Sequence, residues 1–190
     1  MADAEAPASG LTPPSAIAAP GNALTRVLDA ITRGVGRAVA WLIIPMVGSL
    51  VYEVIVRYAF DAPTIWAYDM TFMLYGTFFM LGSAWTLQRG GHIRTDTFYA
   101  DWTPQRRALV DAACYVLFFL PAMAVFLKLG ADYFWKSFQQ NERIVTSPWL
   151  PIVWPFKAVL PLTAVLLIIQ GLSELIKSVR VILAPEADRS

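Results

Sequence analysis

The sequence predicts an all-α membrane protein built on four transmembrane helices, and three observations carry that prediction. Hydrophobic residues make up 57% of the 190 residues and charged residues only 15%, where soluble domains run nearer ~45–50% and ~25%. The mean hydropathy of +0.52 agrees, and the apolar residues gather into four blocks, each near the ~20 helical residues that cross a hydrocarbon core of ~30 Å. All seven tryptophans, Trp41, Trp66, Trp85, Trp102, Trp135, Trp149 and Trp154, fall at block ends or between blocks. There their amphipathic rings would sit at headgroup depth. A water-soluble enzyme is excluded on these grounds.

Taken in order, residues 1–21 are rich in Ala, Pro and Ser without apolar period and read as a disordered tail. They lack the ordered basic, apolar and small-residue regions of a secretory signal. The transmembrane domain is expected over residues 22–182. Asn22 to Arg37 fits a short helix leading into the membrane, and the first span covers residues 38–56, kinked at Pro45. The second covers residues 66–87, entered after the turn-like Phe60-Asp61-Ala62-Pro63 and stopped by Arg89-Gly90-Gly91-His92. Ile93 to Trp102 mixes aromatic and aliphatic residues with Asp96 and Asp101. With Asp96 as N-cap, it fits a short interfacial helix in the second connection. Thr103-Pro104 reads as N-cap and first helical position, and the helix it opens carries the third span, residues 109–129, with a kink at Pro121. Tyr133 to Pro155 is read as a connection, the fourth span covers residues 158–176, and residues 183–190 form a tail.

Orientation follows from basic residues in short loops. Ten lie on the side of the termini and the second connection: Arg26, Arg33, Arg37, Arg89, Arg94, Arg106, Arg107, Lys177, Arg180 and Arg189. Five lie opposite: Arg57, Lys128, Lys136, Arg143 and Lys157. Both termini are therefore expected in the cytoplasm.

Residues able to do chemistry are scarce. The one histidine, His92, lies between blocks, so no span offers a haem ligand. Cys114 has no partner for a disulfide and no nearby cation, and is read as inert packing. There is no metal-ligand cluster and no phosphate-cradling glycine loop, so no cofactor is expected. The net charge of +1, without a dense basic run, gives no reason to expect nucleic acid.

The charges near span ends say more, because charge at membrane depth is costly. Glu53 and Arg57 are four apart, in the favourable order for a helical pair; Asp69 lies one turn into the second span and Lys157 precedes the fourth. Two readings stand side by side: one ion network tying the outer helix ends together, or a relay or docking surface. Glu174 is read as lying one turn from water. On the other side, Arg89, Arg94, Arg106 and Arg107 fit either anionic headgroups or ordinary positive-inside topology. Small residues seven apart, Gly76 with Ser83 and Ala164 with Gly171, permit close helix approach, within the bundle or onto a partner.

Three motifs in order, Arg57-Tyr58-Ala59-Phe60, Trp66-Ala67-Tyr68-Asp69 and Arg89-Gly90-Gly91-His92-Ile93-Arg94-Thr95-Asp96, resemble the small membrane ("Q") subunit of tripartite ATP-independent periplasmic (TRAP) transporters. The resemblance covers about residues 25–182. The wider family often carries two acids after the tryptophan, where Tyr68-Asp69 supplies one. That form, with Ser147-Pro148-Trp149 and Trp154-Pro155-Phe156-Lys157, looks like the mannitol/chloroaromatic-type subgroup. The resemblance implies a multi-pass protein of the bacterial inner membrane. Its partners would be a large multi-span permease that moves by an elevator mechanism on a sodium gradient and a periplasmic binding protein that delivers an organic anion, with membrane lipids around it. Glu53, Arg57, Trp66, Asp69 and Lys157 would then face the periplasm as scaffold or binding-protein contacts. Arg89, His92, Arg94, Asp96, Arg106 and Arg107 would form the cytoplasmic face toward lipid or partner. The competing classes are a membrane anchor for a redox enzyme, which would need span histidines or a quinone pocket, and a free-standing small exporter.

Overall fold

A computed structural model of the chain describes residues 23–89 and 102–183. The tail at 1–21, the interfacial helix expected up to Trp102, and residues 184–190 lie outside the described residues, as do His92, Arg94 and Asp96. Among the described residues there is no strand, only an isolated bridge between Arg143 and Ile152.

The helix entering the membrane is longer than expected. α1 spans Ala23–Ala40 and α2 spans Ile43–Phe60, separated by a two-residue turn at Trp41-Leu42. Pro45 explains the break: it has no N–H for the Trp41 carbonyl, which instead accepts from Ile44 N at 3.2 Å, one residue early. α2 ends at Asp61, which turns left-handed at φ 48°. α3 follows as Ala67–Gln88, within one residue of the expected second span.

Thr103 is extended (ψ 148°) at the N-cap with Pro104 behind it, as expected, although its side chain makes no capping bond. α4 covers Pro104–Cys114, and the chain then widens into a π-helical turn at Tyr115–Phe119 before α5, Leu120–Gln140. Pro121, lacking an N–H, removes one α-helical bond here, and Leu120 N reaches back to Tyr115 O instead. The expected connection from Tyr133 is therefore helical as far as Gln140. After the loop at 141–153 come the single turn α6, Trp154–Lys157, and α7, Val159–Leu183, seven residues longer at its C-terminal end than the expected span.

Three helical segments are long and apolar enough to cross a membrane: residues 23–60, 105–140 and 154–183. α3 has the length, but Tyr68, Asp69, Thr71, Tyr75, Thr77, Ser83 and Thr86 dilute its apolar character. α7 is the central post, packed on α1, α3, α4 and α5. In its apolar window 44% of residues are buried, against 17% and 6% in the other two segments. Val39, Leu81, Ala84, Val159 and Leu166 form the apolar core between α1, α3 and α7. α2 packs chiefly on α3 and leaves Ile44, Val47, Leu50, Val51, Val54 and Ile55 exposed.

The small-residue positions are used within the bundle. A Cβ on Gly76 would lie 2.8 Å from the Phe156 ring, and one on Gly171 would overlap the Phe119 ring. Ala84 and Ala164 are buried. Cys114, read as packing, is exposed on the helix surface.

Candidate functional site: two polar ends of a helical bundle

One end of the bundle gathers the α2–α3 turn and the 141–157 segment, here the connection end. The other, the terminal end, gathers the start of α1, the ends of α3 and α7, and the start of α4.

At the connection end the four expected charges do not form one network. Glu53 is buried although it lies on a mostly exposed helix. Arg57, one turn on, pairs with its Oε1, donating from Nε at 2.9 Å and from Nη2. Its other oxygen accepts from Thr64 N at 3.0 Å and from the Thr64 hydroxyl. Glu53 thereby fixes the turn that aims α2 into α3, while Ser49 and Thr71 hydroxyls join the same two helices at 2.8 Å. Trp66 is the N-cap residue of α3 and stacks on Tyr52, with ring centroids 5.7 Å apart.

Asp69 sits in the first turn of α3, where a carboxylate suits the helix N-terminus. It accepts from the hydroxyl of Ser147, a buried residue 78 positions away, and the same Ser147 oxygen accepts from Trp149 N at 3.2 Å. Lys157 is buried, pairs with Glu142, and lies 3.8 Å from the Tyr133 ring centroid in a cation–π contact. The Lys157 ammonium holds the Glu142 carboxyl below its ordinary value of 4.5. The charges thus work as separate latches, and two of them bind the 141–153 hairpin to the bundle. That hairpin is further tied by Val153 N to Glu142 O at 3.0 Å and Ile144 N to Pro151 O at 3.1 Å. Leu150 holds a left-handed conformation at φ 48°, costly for a residue with a branched side chain. Val145, at 84% exposure, is the hairpin's outermost apolar residue. Glu142, Ser147 and Thr64 were not anticipated, because their partners are set by the return of the chain and not by local spacing.

The terminal end holds a polar cluster that the sequence reading missed. Lys177 Nζ lies 2.9 Å from both Asp29 Oδ2 and Glu174 Oε1. Asp29 Oδ1 accepts from Ser173 at 2.8 Å and Gln170 at 3.2 Å, and its backbone carbonyl accepts from Gln88 Nε2 at 2.8 Å. Gln170 also donates to Glu174 at 2.9 Å. Gln170 and Ser173 are fully buried, and Glu174, expected near water, is buried too. A signal was available: Gln170, Ser173, Glu174 and Lys177 recur at i, i+3, i+4 and i+7, one polar stripe on an apolar helix. The cluster joins α1, α3 and α7. Nearby, Arg89 covers the Trp85 ring at 4.4 Å, Arg107 Nε donates to Trp102 O at 3.1 Å, and Arg106 is exposed.

Among the described residues, no group of three or more His, Cys, Asp or Glu residues could hold a metal. Many of the polar groups tie helices and a hairpin together, and the exposed apolar surface is extensive. These features define the class: a helical membrane protein with polar ties at both ends of its bundle. A family model, Tripartite ATP-independent periplasmic transporters, DctQ component, matches residues 46–181, well over half the chain. The chain belongs to this family and is a small membrane component of a TRAP transporter. No curated protein matches it.

Proposed function

We propose that this chain is the static membrane scaffold of a TRAP transporter that takes up an organic anion, a carboxylate, on a sodium gradient. Family membership supports the reading, since TRAP systems combine this component with a large permease and a periplasmic binding protein. The observation that carries the scaffold role is the set of latches: helices crossed by Glu53–Arg57–Thr64, Asp69–Ser147, Glu142–Lys157 and Asp29–Lys177 are built to stay still. The exposed apolar face of α2 then meets the large permease or lipid.

In this reading α3 is the fourth span, both termini are cytoplasmic, and the protein is a multi-pass component of the inner membrane. The connection end, with Glu53, Arg57, Trp66, Asp69 and Lys157, faces the periplasm. There the latched hairpin presents Val145 toward the binding protein. Arg89, Arg106 and Arg107, with His92, Arg94 and Asp96 of the second connection, face cytoplasmic headgroups and the permease. The Trp66-Ala67-Tyr68-Asp69 form supports assigning the chain to the mannitol/chloroaromatic-type subgroup.

Affinity purification of the tagged chain from its native membrane tests the assignment. A large permease in stoichiometric amount is the expected result. Recovery with a haem-containing or soluble redox subunit would overturn it. In cells, Arg57→Ala and Asp69→Asn are expected to lower uptake; wild-type assembly and uptake in both would remove the connection end from the mechanism.

A further inference from the structure

Between α3 and the 141–153 hairpin lies a cleft of about 550 Å³ that none of the latches uses. Met70, Met73 and Thr77 line one wall, a rise of roughly 10 Å along the α3 axis. Ile152 and Phe156 line the other. Thr77 spends its hydroxyl on Met73 O at 2.7 Å, so the wall presents no unmet polar group. The one charged residue in the lining is Arg143, at the hairpin. It donates to Leu150 O at 3.2 Å and, among the described residues, pairs with no carboxylate, because its neighbour Glu142 is committed to Lys157.

We infer that this cleft holds one acyl chain of a phospholipid whose phosphate lies against Arg143. This rests on the reading of the chain as a bilayer-embedded transporter component. Charge complementarity selects the occupant. An apolar slot that starts at a cation at the bundle end and runs along a membrane helix matches a headgroup phosphate continuing into hydrocarbon. The volume is about that of one fatty-acyl chain. Guanidinium forms paired, charge-assisted bonds to phosphate oxygens, and the two methionines adapt to chains of differing length and unsaturation. The bound lipid would bridge α3 and the hairpin, adding a wall that the protein itself does not supply.

The test is native mass spectrometry of the delipidated full chain in detergent, titrated separately with phosphatidylglycerol and with diacylglycerol, which lacks phosphate. The wild type is expected to take up one phosphatidylglycerol. Arg143→Gln should weaken that binding about tenfold, as expected on losing a charge-assisted contact, and leave diacylglycerol binding unchanged. Thr77→Phe, which fills the slot, should abolish both. A wild type that binds no lipid, or two variants that bind like it, would overturn the proposal. Should Thr77→Phe fail to fold, Met73→Cys in a Cys114→Ser background gives the second readout: its maleimide labelling should slow when phosphatidylglycerol is added. Labelling that is indifferent to lipid, but blocked by or crosslinked to the permease, assigns the cleft to protein and overturns the lipid. Co-purification of the permease is scored independently, so failure of the transporter reading would be seen separately.

Discussion

Lys177 contacts two carboxylates at 2.9 Å each, so its removal leaves Asp29 and Glu174 facing one another in a largely dry site. Lys177→Met and Asp29→Asn are each expected to destabilise the bundle by roughly 3 kcal/mol. That is the low end for breaking a buried pair, since both side chains keep about one sixth of their exposure. The double variant should cost less than the sum, and unfolding in detergent measures all three. A strictly additive double variant would mean the pair does not couple α1 to α7. Glu142 makes a pH prediction of definite sign. Its carboxyl is held below 4.5 by Lys157, so the unfolded hairpin binds the proton more readily than the folded one. The latch therefore contributes fully above 4.5 and is lost as pH falls through the lower folded value. Limited proteolysis within 144–150 should rise steeply in that acid window, and Glu142→Gln should flatten the profile.

Among the elements, proline placed both irregularities correctly, but their form depended on the carbonyls left over. Pro45 yields a two-residue turn three to four positions upstream, and Pro121 a π-helical turn before it. Helix existence was legible in hydropathy, and α3 emerged within one residue of its expected bounds. Helix ends were less so. α5 and α7 run on past their apolar blocks, where the Tyr133 ring receives Lys157, Phe134 packs on Trp154, and Lys177 pairs with Asp29 and Glu174. The Glu53–Arg57 pair was legible in the spacing, but the partners of Asp69 and Lys157 were not, since Ser147 and Glu142 reach them only when the hairpin folds back. Gly171 gives an element-scale prediction. Gly171→Ala drives a methyl into the Phe119 ring and should cost about 1–3 kcal/mol by overpacking. Phe119→Leu in the same chain should recover much of that loss, read as thermal stability in detergent. If no recovery follows, the two residues do not share the contact.

At the scale of the whole molecule, the proposed topology puts the two polar ends on opposite sides of one bilayer. Val145→Cys in a Cys114→Ser background should be labelled by an impermeant maleimide from the periplasm, and a cysteine at Leu24 only after the membrane is opened. Labelling of both from one side would mean an even number of crossings between them and would remove α3 from the membrane. Bundle architecture also bears on how the protein is made. The central post, α7, follows every other described helix in chain order and supplies Gln170, Ser173 and Lys177, three of the four side chains that donate to Asp29, Gln88 on α3 being the fourth. While the ribosome is still extending the chain, Asp29 on α1 must wait without its α7 partners, keeping only the bond from Gln88 to its backbone carbonyl. That waiting intermediate is what membrane quality control would recognise. A chain truncated before residue 158 should be degraded rapidly, and a separately expressed α7 should rescue it.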